Sequence, residues 1–433
     1  MSRIDRARLL RRLLAGMAVA AALVGCAPQQ QTVQAPLATP QVPPPVVRPV
    51  PPPLPEPIAP PPAPLTAEPL QPLPPAGPTK VALLLPLSGQ NRAVGQALLE
   101  AAQLAVIDEA PPDFELVPVN TDPNALRAAE EALGAGASLV LGPLFGAEAA
   151  AIRPVTAGRV DVLTYSTDFT VAGDGVFVTG YLPQQQVERV VGYALSRGAT
   201  RFAALLPNSA YGQAVGAALQ AAAERGGGGV LLNVTYDTAA TDLSPQIQQL
   251  ATLDLGTTLG AQQRLGVRPG TGGGLPYDVL FVAEGGARLR ALLTQLKSFD
   301  LIGRAQLAGT GLWDDPALYD EPLLQGGWFA APPPDQRADF ERRYAEAFGA
   351  RPPRIAALGY DTTAMAARLA KSGGMRPFDR ARLTDPAGFQ GVDGPWRLTP
   401  DFRNERALAV LEMRPGGPAV VDPAPRSVAP LGF

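Results

Sequence analysis

From residue 79 onwards, short apolar runs alternate with longer segments whose apolar residues recur at helical spacing. The first run, KVALLLPLSG (80–89), precedes a segment in which Val94, Leu98 and Ala101 recur every three or four residues. Similar pairs of runs and segments continue as far as residue 313. Because buried strands that alternate with amphipathic helices form parallel sheets covered by helices on both faces, the sequence predicts an α/β fold.

The alternation continues through a second series of units, which predicts two lobes. The segment from residue 79 to residue 433 is longer than the chain that one small hydrophobic core usually contains. We expect each lobe to be a parallel sheet flanked by helices, and we expect the chain to cross between the lobes near residues 180–184. The expected first lobe comprises residues 79–182 and 311–390, and the expected second lobe comprises residues 183–310 and 391–413.

The C-terminal part of the chain carries signals for two helices, a hairpin and a tail. Residues 336–349 and 354–373 have apolar residues at helical spacing. Further on, Gly394-Pro395 and the stretch 399–404 flank short strand-like runs, which predicts a hairpin. Residues 414–433 contain several prolines, so we expect a loose tail there.

A proline-rich segment separates this body from the N-terminus. Twenty prolines fall between Pro36 and Pro78. Because proline lacks the amide donor and its φ is fixed, neither a helix nor a sheet can propagate through them. We expect residues 26–78 to form a disordered or polyproline II linker, which could reach about 150 Å at about 3.1 Å per residue. We interpret it as a passive spacer, and a docking motif for a partner is the alternative.

The first 25 residues have the features of a secretory signal. The first twelve residues carry five arginines and one aspartate, and an apolar run follows from Leu13 to Val24. This run suits a signal-peptide core and is short for a membrane span. It ends in Leu23-Val24-Gly25-Cys26, which resembles the lipobox of bacterial lipoproteins. The resemblance implies cleavage before Cys26 and acylation of its sulfur and of the new amino terminus; an ordinary signal peptide with an incidental cysteine is the alternative.

Composition excludes several classes of function. The chain has no histidine and a single cysteine, so imidazole catalysis and His-ligated zinc are not expected, nor is thiol catalysis once Cys26 is acylated. Subtracting the +4 of the signal takes the formal net charge from −3 to −7, which disfavours nucleic acid as a partner. We expect neither an enzyme nor a cofactor or metal site.

Two glycine clusters do not change this expectation. The clusters at 226–229 and 270–274 lack the Gly-Lys-Ser/Thr ending of a phosphate-binding loop, so we expect flexible loops. Residues 255–275 are expected to be an insertion between a helix and a strand.

Several motifs fall in the order in which they occur in type I periplasmic binding proteins, the leucine/isoleucine/valine-binding kind. They are VALLLPLSG, LVLGPLFG, VLTYSTD, YGQAV, FERRYAEAFGARPP, ALGYD and GVDGPWRLTPD. The resemblance covers nearly all of residues 79–413 and implies a two-lobed fold that holds a ligand in the cleft between its lobes.

Together with the lipobox, the LLLPLSG and LVLGPLF motifs resemble one branch of that superfamily. This branch consists of the outer-membrane lipoproteins that activate class A penicillin-binding proteins. The resemblance implies a lipid-anchored regulator whose partner is a peptidoglycan synthase. Residue 27 is Ala rather than Asp, which by resemblance to Gram-negative lipoproteins implies the outer membrane. The alternative is a substrate-binding lipoprotein of an ABC importer for branched-chain amino acids or amides.

Three loops at predicted strand ends are candidates for the first wall of the cleft. Carboxyl ends of parallel strands and helix N-termini offer free amide donors that suit a ligand carboxylate. By resemblance, Ser166 and Thr167 match the position where amino-acid-binding relatives hold that carboxylate. The alternative is that these residues are ordinary turns and helix caps. The candidates are Ser88, Gly89, Pro143, Leu144, Phe145, Ser166, Thr167 and Asp168.

Three further candidates belong to the second lobe or to the hinge. Tyr211 follows a predicted strand, and Glu284 follows the run DVLFVAE. Glu284 could pair with a ligand ammonium group, or it could simply offset a helix dipole. Trp313 could close the cleft by stacking on a small amino-acid-like ligand, or it could be a core residue.

Overall fold

The computed structural model describes residues 77–252, 275–374 and 376–428. The predicted signal peptide, Cys26 and nearly all of the proline-rich segment lie outside these ranges. The glycine cluster at 270–274 and most of the predicted insertion at 255–275 also lie outside them.

The first half of the described chain alternates strands and helices as predicted. In chain order its elements are β1 (Thr79–Leu85), α1 (Arg92–Glu109), β2 (Phe114–Asn120), α2 (Ala125–Gly134), β3 (Leu139–Leu141), α3 (Gly146–Thr156), β4 (Val162–Thr164), β5 (Val176–Val178), α4 (Pro183–Ser196), β6 (Arg201–Pro207), α5 (Ala210–Arg225), β7 (Gly229–Tyr236) and α6 (Ser244–Ala251).

The second half completes both lobes. Its elements are β8 (Val279–Val282), α7 (Gly286–Ser298), β9 (Gln306–Gly309), β10 (Trp328–Ala331), α8 (Pro334–Phe348), α9 (Ala356–Lys371), α10 (Arg380–Leu383), β11 (Phe389–Gly391), β12 (Gly394–Leu398), β13 (Asn404–Arg406), β14 (Ala409–Glu412) and β15 (Ala419–Asp422).

The first lobe contains a parallel sheet with the strand order β2-β1-β3-β4-β5. In β1, Val81, Leu83 and Leu85 face one apolar core, which includes residues of α1 and α9. Ala82 and Leu84 face another core, to which α2 and α3 contribute. The continuous apolar run is therefore a strand whose two faces are both buried, as a parallel sheet requires.

The second lobe contains a seven-stranded sheet with the order β15-β14-β10-β9-β8-β6-β7. The strands from β10 to β7 are parallel, whereas β14 runs antiparallel to both β10 and β15. This sheet is also covered on both faces: Leu205 faces one core, and Phe202 and Leu206 face another. The fold is thus the predicted two-lobed α/β fold.

The strand order differs from the predicted division of the lobes in two places. β10 pairs with β9 and β14, and Trp313, Leu318 and Leu324 pack in the core of the second sheet, so residues 311–331 belong to the second lobe rather than to the first. The antiparallel sheet of β11, β12 and β13 places Trp396 and Leu398 in the core of the first lobe. Strands of three to five residues carry little periodicity, so their membership depends on partners that are distant in sequence.

The predicted hairpin is present, but the predicted loose tail contains an ordered strand. β12 and β13 pair antiparallel, with Trp396 opposite Arg406. β15 pairs antiparallel with β14, and Arg189 Nη1 donates to Asp422 Oδ2 at 2.7 Å. These contacts fix residues 419–422 to the edge of the second sheet.

Three short segments connect the lobes. They are residues 179–182, 332–333 and 407–408, and they follow β5, β10 and β13 respectively. Because β5 and β10 run into two of them, the carboxyl edges of both parallel sheets border the hinge and the cleft beside it. Within the described ranges, none of the helices is both long enough and apolar enough to span a bilayer.

Candidate functional site

Asn120 organises the loops that follow β1 and β2 on the first wall of the cleft. Its Nδ2 donates to Ser88 Oγ at 3.0 Å, and its Oδ1 accepts from the backbone N of Leu87 at 2.8 Å and of Asp122 at 3.1 Å. A Cβ on Gly89 would lie 3.2 Å from Asp122 Oδ2, so this carboxylate lies against the Ser88-Gly89 loop. Asn120 was not among the predicted residues. Its position as a polar residue at the end of a predicted strand could have identified it as a candidate for the cleft wall.

The loop after β3 divides its side chains between the core and the cleft. Gly142 has a φ of 83°, and a Cβ there would lie 2.2 Å from the carbonyl oxygen of Leu84. Thr164 Oγ1 donates to the carbonyl oxygen of Pro143 at 2.7 Å, which ties the loops after β3 and β4 together. Leu144 is buried, whereas Phe145 is 39% exposed where α3 begins. Phe145 is thus the member of the predicted Pro143-Leu144-Phe145 group that can meet a ligand.

The loop after β4 covers the N-terminus of α3. Ser166 Oγ accepts from the backbone N of Asp168 at 2.9 Å, and Asp168 Oδ1 accepts from the backbone N of Thr170 at 2.9 Å. A Cβ on Gly146 would lie 3.1 Å from both Ser166 Oγ and Asp168 Oδ2. Ser166 is buried, while Thr167 and Asp168 are exposed. Ser166 and Asp168 therefore lie beside the first residue of α3, with the exposed Thr167 between them in sequence.

Carboxylates surround this helix end. Glu148 Oε2 accepts from the backbone N of Phe145 at 3.4 Å, and burial together with the nearby Asp122 raises the pKa of Glu148. With Asp168 beside Gly146, the partial positive charge of the α3 N-terminus is already offset by side chains of the protein.

Glu284 on the second wall is held by three groups of its own lobe. Its Oε2 accepts from Tyr236 OH at 2.6 Å and lies 3.1 Å from Arg288 Nε, and its Oε1 accepts from the backbone N of Gly285 at 3.1 Å. The guanidinium of Arg288 also lies over the Tyr236 ring at 5.3 Å. Tyr236 and Arg288 were not predicted, although Arg288 lies one helical turn after Glu284. The charge of Glu284 is therefore neutralised within the lobe.

Tyr211 lies on the same wall. Its hydroxyl shares a hydrogen bond with Thr310 Oγ1 at 2.7 Å. Burial raises the pKa of Tyr211 to about 12, and the carboxylate of Glu284 adds to the shift. Tyr211 is therefore a neutral donor or acceptor at physiological pH.

Trp313 is a core residue. Its side chain is 0% exposed, its Nε1 donates to the carbonyl oxygen of Glu284 at 3.1 Å, and its ring lies 6.3 Å from that of Phe329. A Cβ on Gly309 would lie 2.2 Å from Trp313 Cε2, so the glycine makes room for the indole. In this conformation Trp313 cannot stack on a ligand, whereas its neighbour Leu312 is 46% exposed.

The walls thus carry hydroxyls, amides and carboxylates that suit the binding of a small polar molecule. Within residues 77–252, 275–374 and 376–428, no group of three acidic, His or Cys side chains is placed to hold a metal ion.

Residues 78–418 match the family model described as periplasmic binding protein. The chain belongs to the periplasmic-binding-protein family. Membership implies a periplasmic location, and the fold is typical of binding proteins rather than of enzymes.

Solved structures share this fold at low sequence identity. A putative branched-chain amino acid ABC transporter protein from Rhodospirillum rubrum is 18% identical, with a TM-score of 0.66 over 79% of this chain and 100% of that one. The branched-chain amino acid transporter substrate-binding protein of Streptococcus pneumoniae, in complex with isoleucine, is 16% identical, with a TM-score of 0.58 over 80% and 100%. A solute-binding protein from R. palustris, in complex with benzoate, is 17% identical, with a TM-score of 0.58 over 82% and 99%.

One curated relative bears the description uncharacterized protein. It is a protein of Rickettsia prowazekii that is 24% identical over 144 residues. The alignment covers 33% of this chain and 38% of the length of that relative.

Proposed function

We propose that the chain is a periplasmic receptor that binds a small amino-acid-like solute and presents it to an ABC importer. The observation that carries this proposal is the presence of polar side chains on both walls of the cleft in a chain of this family. Ser166, Thr167 and Asp168 stand on one wall, and Tyr211 and Glu284 stand on the other.

The charges of the walls favour a ligand with an ammonium group. Asp122, Glu148 and Asp168 lie around the N-terminus of α3. Glu284 is paired with Arg288, so the second wall is closer to neutral. A simple carboxylate such as benzoate would meet these carboxylates on the first wall. An ammonium group would be attracted to them.

A thermal-shift screen tests this proposal. Free ligand at 100 times its dissociation constant adds about 2.7 kcal/mol to the free energy of unfolding. We expect branched-chain amino acids, their amides or other small amines to raise the melting temperature, and benzoate to leave it unchanged. The Asp168→Asn variant should lose most of this shift. The Asp113→Asn variant, at an exposed position ahead of β2, should keep it. A flat response across amino acids, amides and amines would count against the receptor.

A second candidate is a regulatory lipoprotein that activates a class A penicillin-binding protein from the outer membrane. The sequence around Cys26 and the twenty prolines that follow support it, because an anchored body on a long linker could reach the cell wall. In addition, Glu284 is paired with Arg288 within its own lobe, so it does not depend on a solute to neutralise it.

Reconstitution tests this second candidate. The lipidated full chain would be incorporated into proteoliposomes with the class A penicillin-binding protein of the same organism. We expect the two proteins to co-purify and the rate of glycan polymerisation or crosslinking to rise. If neither binding nor a change in rate is seen, the regulatory function is wrong.

A further inference from the structure

A cluster of buried charges lies where the two lobes meet. This hinge cluster contains three aspartates and three arginines, so its formal charges balance. Five of the six side chains are at most 6% exposed, and Arg354 is 26% exposed. The hinge cluster consists of Asp314, Arg337, Arg354, Asp361, Asp393 and Arg406.

The hinge cluster contacts all three connections between the lobes. In the first connection, Tyr181 OH donates to the carboxylate of Asp393. In the second, the carbonyl oxygen of Pro332 accepts from Arg354 Nη2 at 3.3 Å. Immediately before the third, Arg406 Nη1 donates to Asp361 Oδ2 at 3.2 Å. A rotation of one lobe against the other must therefore change the surroundings of these charges.

Asp314 is the member of the hinge cluster that belongs to the second lobe. It follows the turn after β9, beside the core residues Trp313 and Leu318. Tyr319 OH donates to Asp314 Oδ1 at 2.9 Å, which fixes the carboxylate from within that lobe.

Arg354 meets Asp314 from the first lobe. Arg354 Nη1 lies 2.7 Å from Asp314 Oδ2, as an ion pair rather than an aligned hydrogen bond. Arg337 of α8 holds the backbone around Arg354, because its Nη1 donates to the carbonyl oxygen of Arg354 at 2.9 Å and its Nη2 to that of Pro353 at 3.0 Å. The ion pair therefore joins a residue of the second lobe to a residue of the first.

Asp393 gives Arg354 a second partner within the first lobe. Asp393 Oδ1 is buried without a hydrogen bond, 3.7 Å from Arg337 Nη1 and 3.9 Å from Arg354 Nη2. If Asp314 moved away, a small shift of the Arg354 side chain would close this second pair. Arg354 thus has two alternative pairings, and one of them requires the lobes to be together. Such a choice between discrete contacts is the kind of element that produces two-state motion.

We propose that the Arg354–Asp314 ion pair is a hinge lock that holds the lobes in the observed arrangement and opens when they separate. The lock does not require the solute proposed above, because its two members contact each other, Tyr319, Asp393 and the carbonyl oxygen of Pro332. Breaking it shifts the population of the protein towards a more open form even when the cleft is empty.

Distances between spin labels, measured without ligand, test the lock. The single natural cysteine is replaced by Cys26→Ser, and labels are attached through Glu130→Cys on α2 and Ala217→Cys on α5, both exposed and in different lobes. Asp314→Asn removes the charge but keeps an acceptor for Tyr319. We expect it to raise the ratio of long to short distances about tenfold, the effect of a partly buried ion pair. Asp315→Asn is the matched control, because the Asp315 side chain accepts from the backbone N of Ala317 at 2.9 Å, within its own turn.

Arg354→Gln removes the same ion pair through its other partner. The test therefore still works if one of the two variants folds poorly. We expect Arg354→Gln to give the same shift as Asp314→Asn, and the double variant to show no further change. If folded Asp314→Asn and Arg354→Gln proteins both keep the wild-type distance distribution, the lock is wrong.

Discussion

Asp361 shows how burial and pairing compete at a single carboxyl group. Its side chain is 0% exposed, its Oδ1 accepts from the backbone N of Val392 at 2.7 Å, and its Oδ2 pairs with Arg406. Burial raises the pKa of Asp361 to about 6, Asp393 adds to the shift and Arg406 opposes it. At Asp393 burial also favours the neutral form, but Arg354 and Arg337 outweigh it and lower the pKa.

We predict that Asp361 makes the folded protein less stable as pH rises through about 6. The native state holds a proton on Asp361 in a pH range where the unfolded chain has released it, so stability falls with increasing pH there. The Asp361→Asn variant lacks this dependence while it keeps an acceptor for Val392. Urea unfolding at pH 5 and pH 7.5 checks this prediction. Relative to the wild type, the variant should have a higher free energy of unfolding at pH 7.5 than at pH 5. An unchanged difference would contradict the prediction.

At the scale of elements, glycines set how closely helices approach their neighbours. A Cβ on Gly359 in α9 would lie 2.5 Å from the carbonyl oxygen of Leu98 in α1, and one on Gly95 in α1 would lie 2.1 Å from that of Pro86. Both contacts are with backbone, which cannot move aside as the end of a side chain can. α1 and α9 share apolar cores on the same lobe, so their spacing fixes the packing there.

We predict that Gly359→Ala destabilises the protein by about 1–3 kcal/mol, because the methyl group forces α1 and α9 apart. Gly192→Ala in α4 is the matched control: Gly192 is exposed and a Cβ there meets nothing within 4 Å. Since alanine is the better helix former, we expect this control to gain about 0.5–1 kcal/mol. Chemical denaturation of both variants provides the measurement, and equal stabilities would contradict the packing argument.

At the scale of the whole molecule, the sequence predicts that attachment to a membrane depends on one residue. The predicted anchor is the acylated Cys26. Among the described residues the first strand begins at Thr79, 53 positions after the predicted anchor. Anchoring and folding should therefore be separable.

We predict that Cys26→Ser moves the mature protein from the membrane fraction to the soluble periplasm without changing its thermal unfolding. Loss of the acyl chains removes about 0.8 kcal/mol of membrane affinity per buried methylene group. Ala27→Ser, next to the cysteine, is the control that should stay in the membrane fraction. Cell fractionation of both variants checks this, and a Cys26→Ser protein that still sediments with membranes would show that the predicted anchor is wrong.

Local sequence patterns predicted most strands and helices of the fold, including the short strands β3 and β4, and missed several other short strands. RFAALLP coincides with β6, because a continuous apolar run favours a buried strand. FELVPVN coincides with β2, although only Phe114 and Val119 are buried there. β5, β10 and β15 have three or four residues each and were not predicted. Their stability as strands comes from neighbours far along the chain, such as β14 beside β10.

The sequence by itself determined the α/β alternation, the two lobes and the strand ends that carry polar residues. Each of these follows from the hydrophobicity of neighbouring residues. Only the tertiary structure decided that Glu284 is paired with Tyr236 and Arg288, that Trp313 is buried, and that Asp314 meets Arg354. The physical reason is that the state of a charge or a ring depends on what packs against it in space. Here most of those partners lie tens of residues away in the chain.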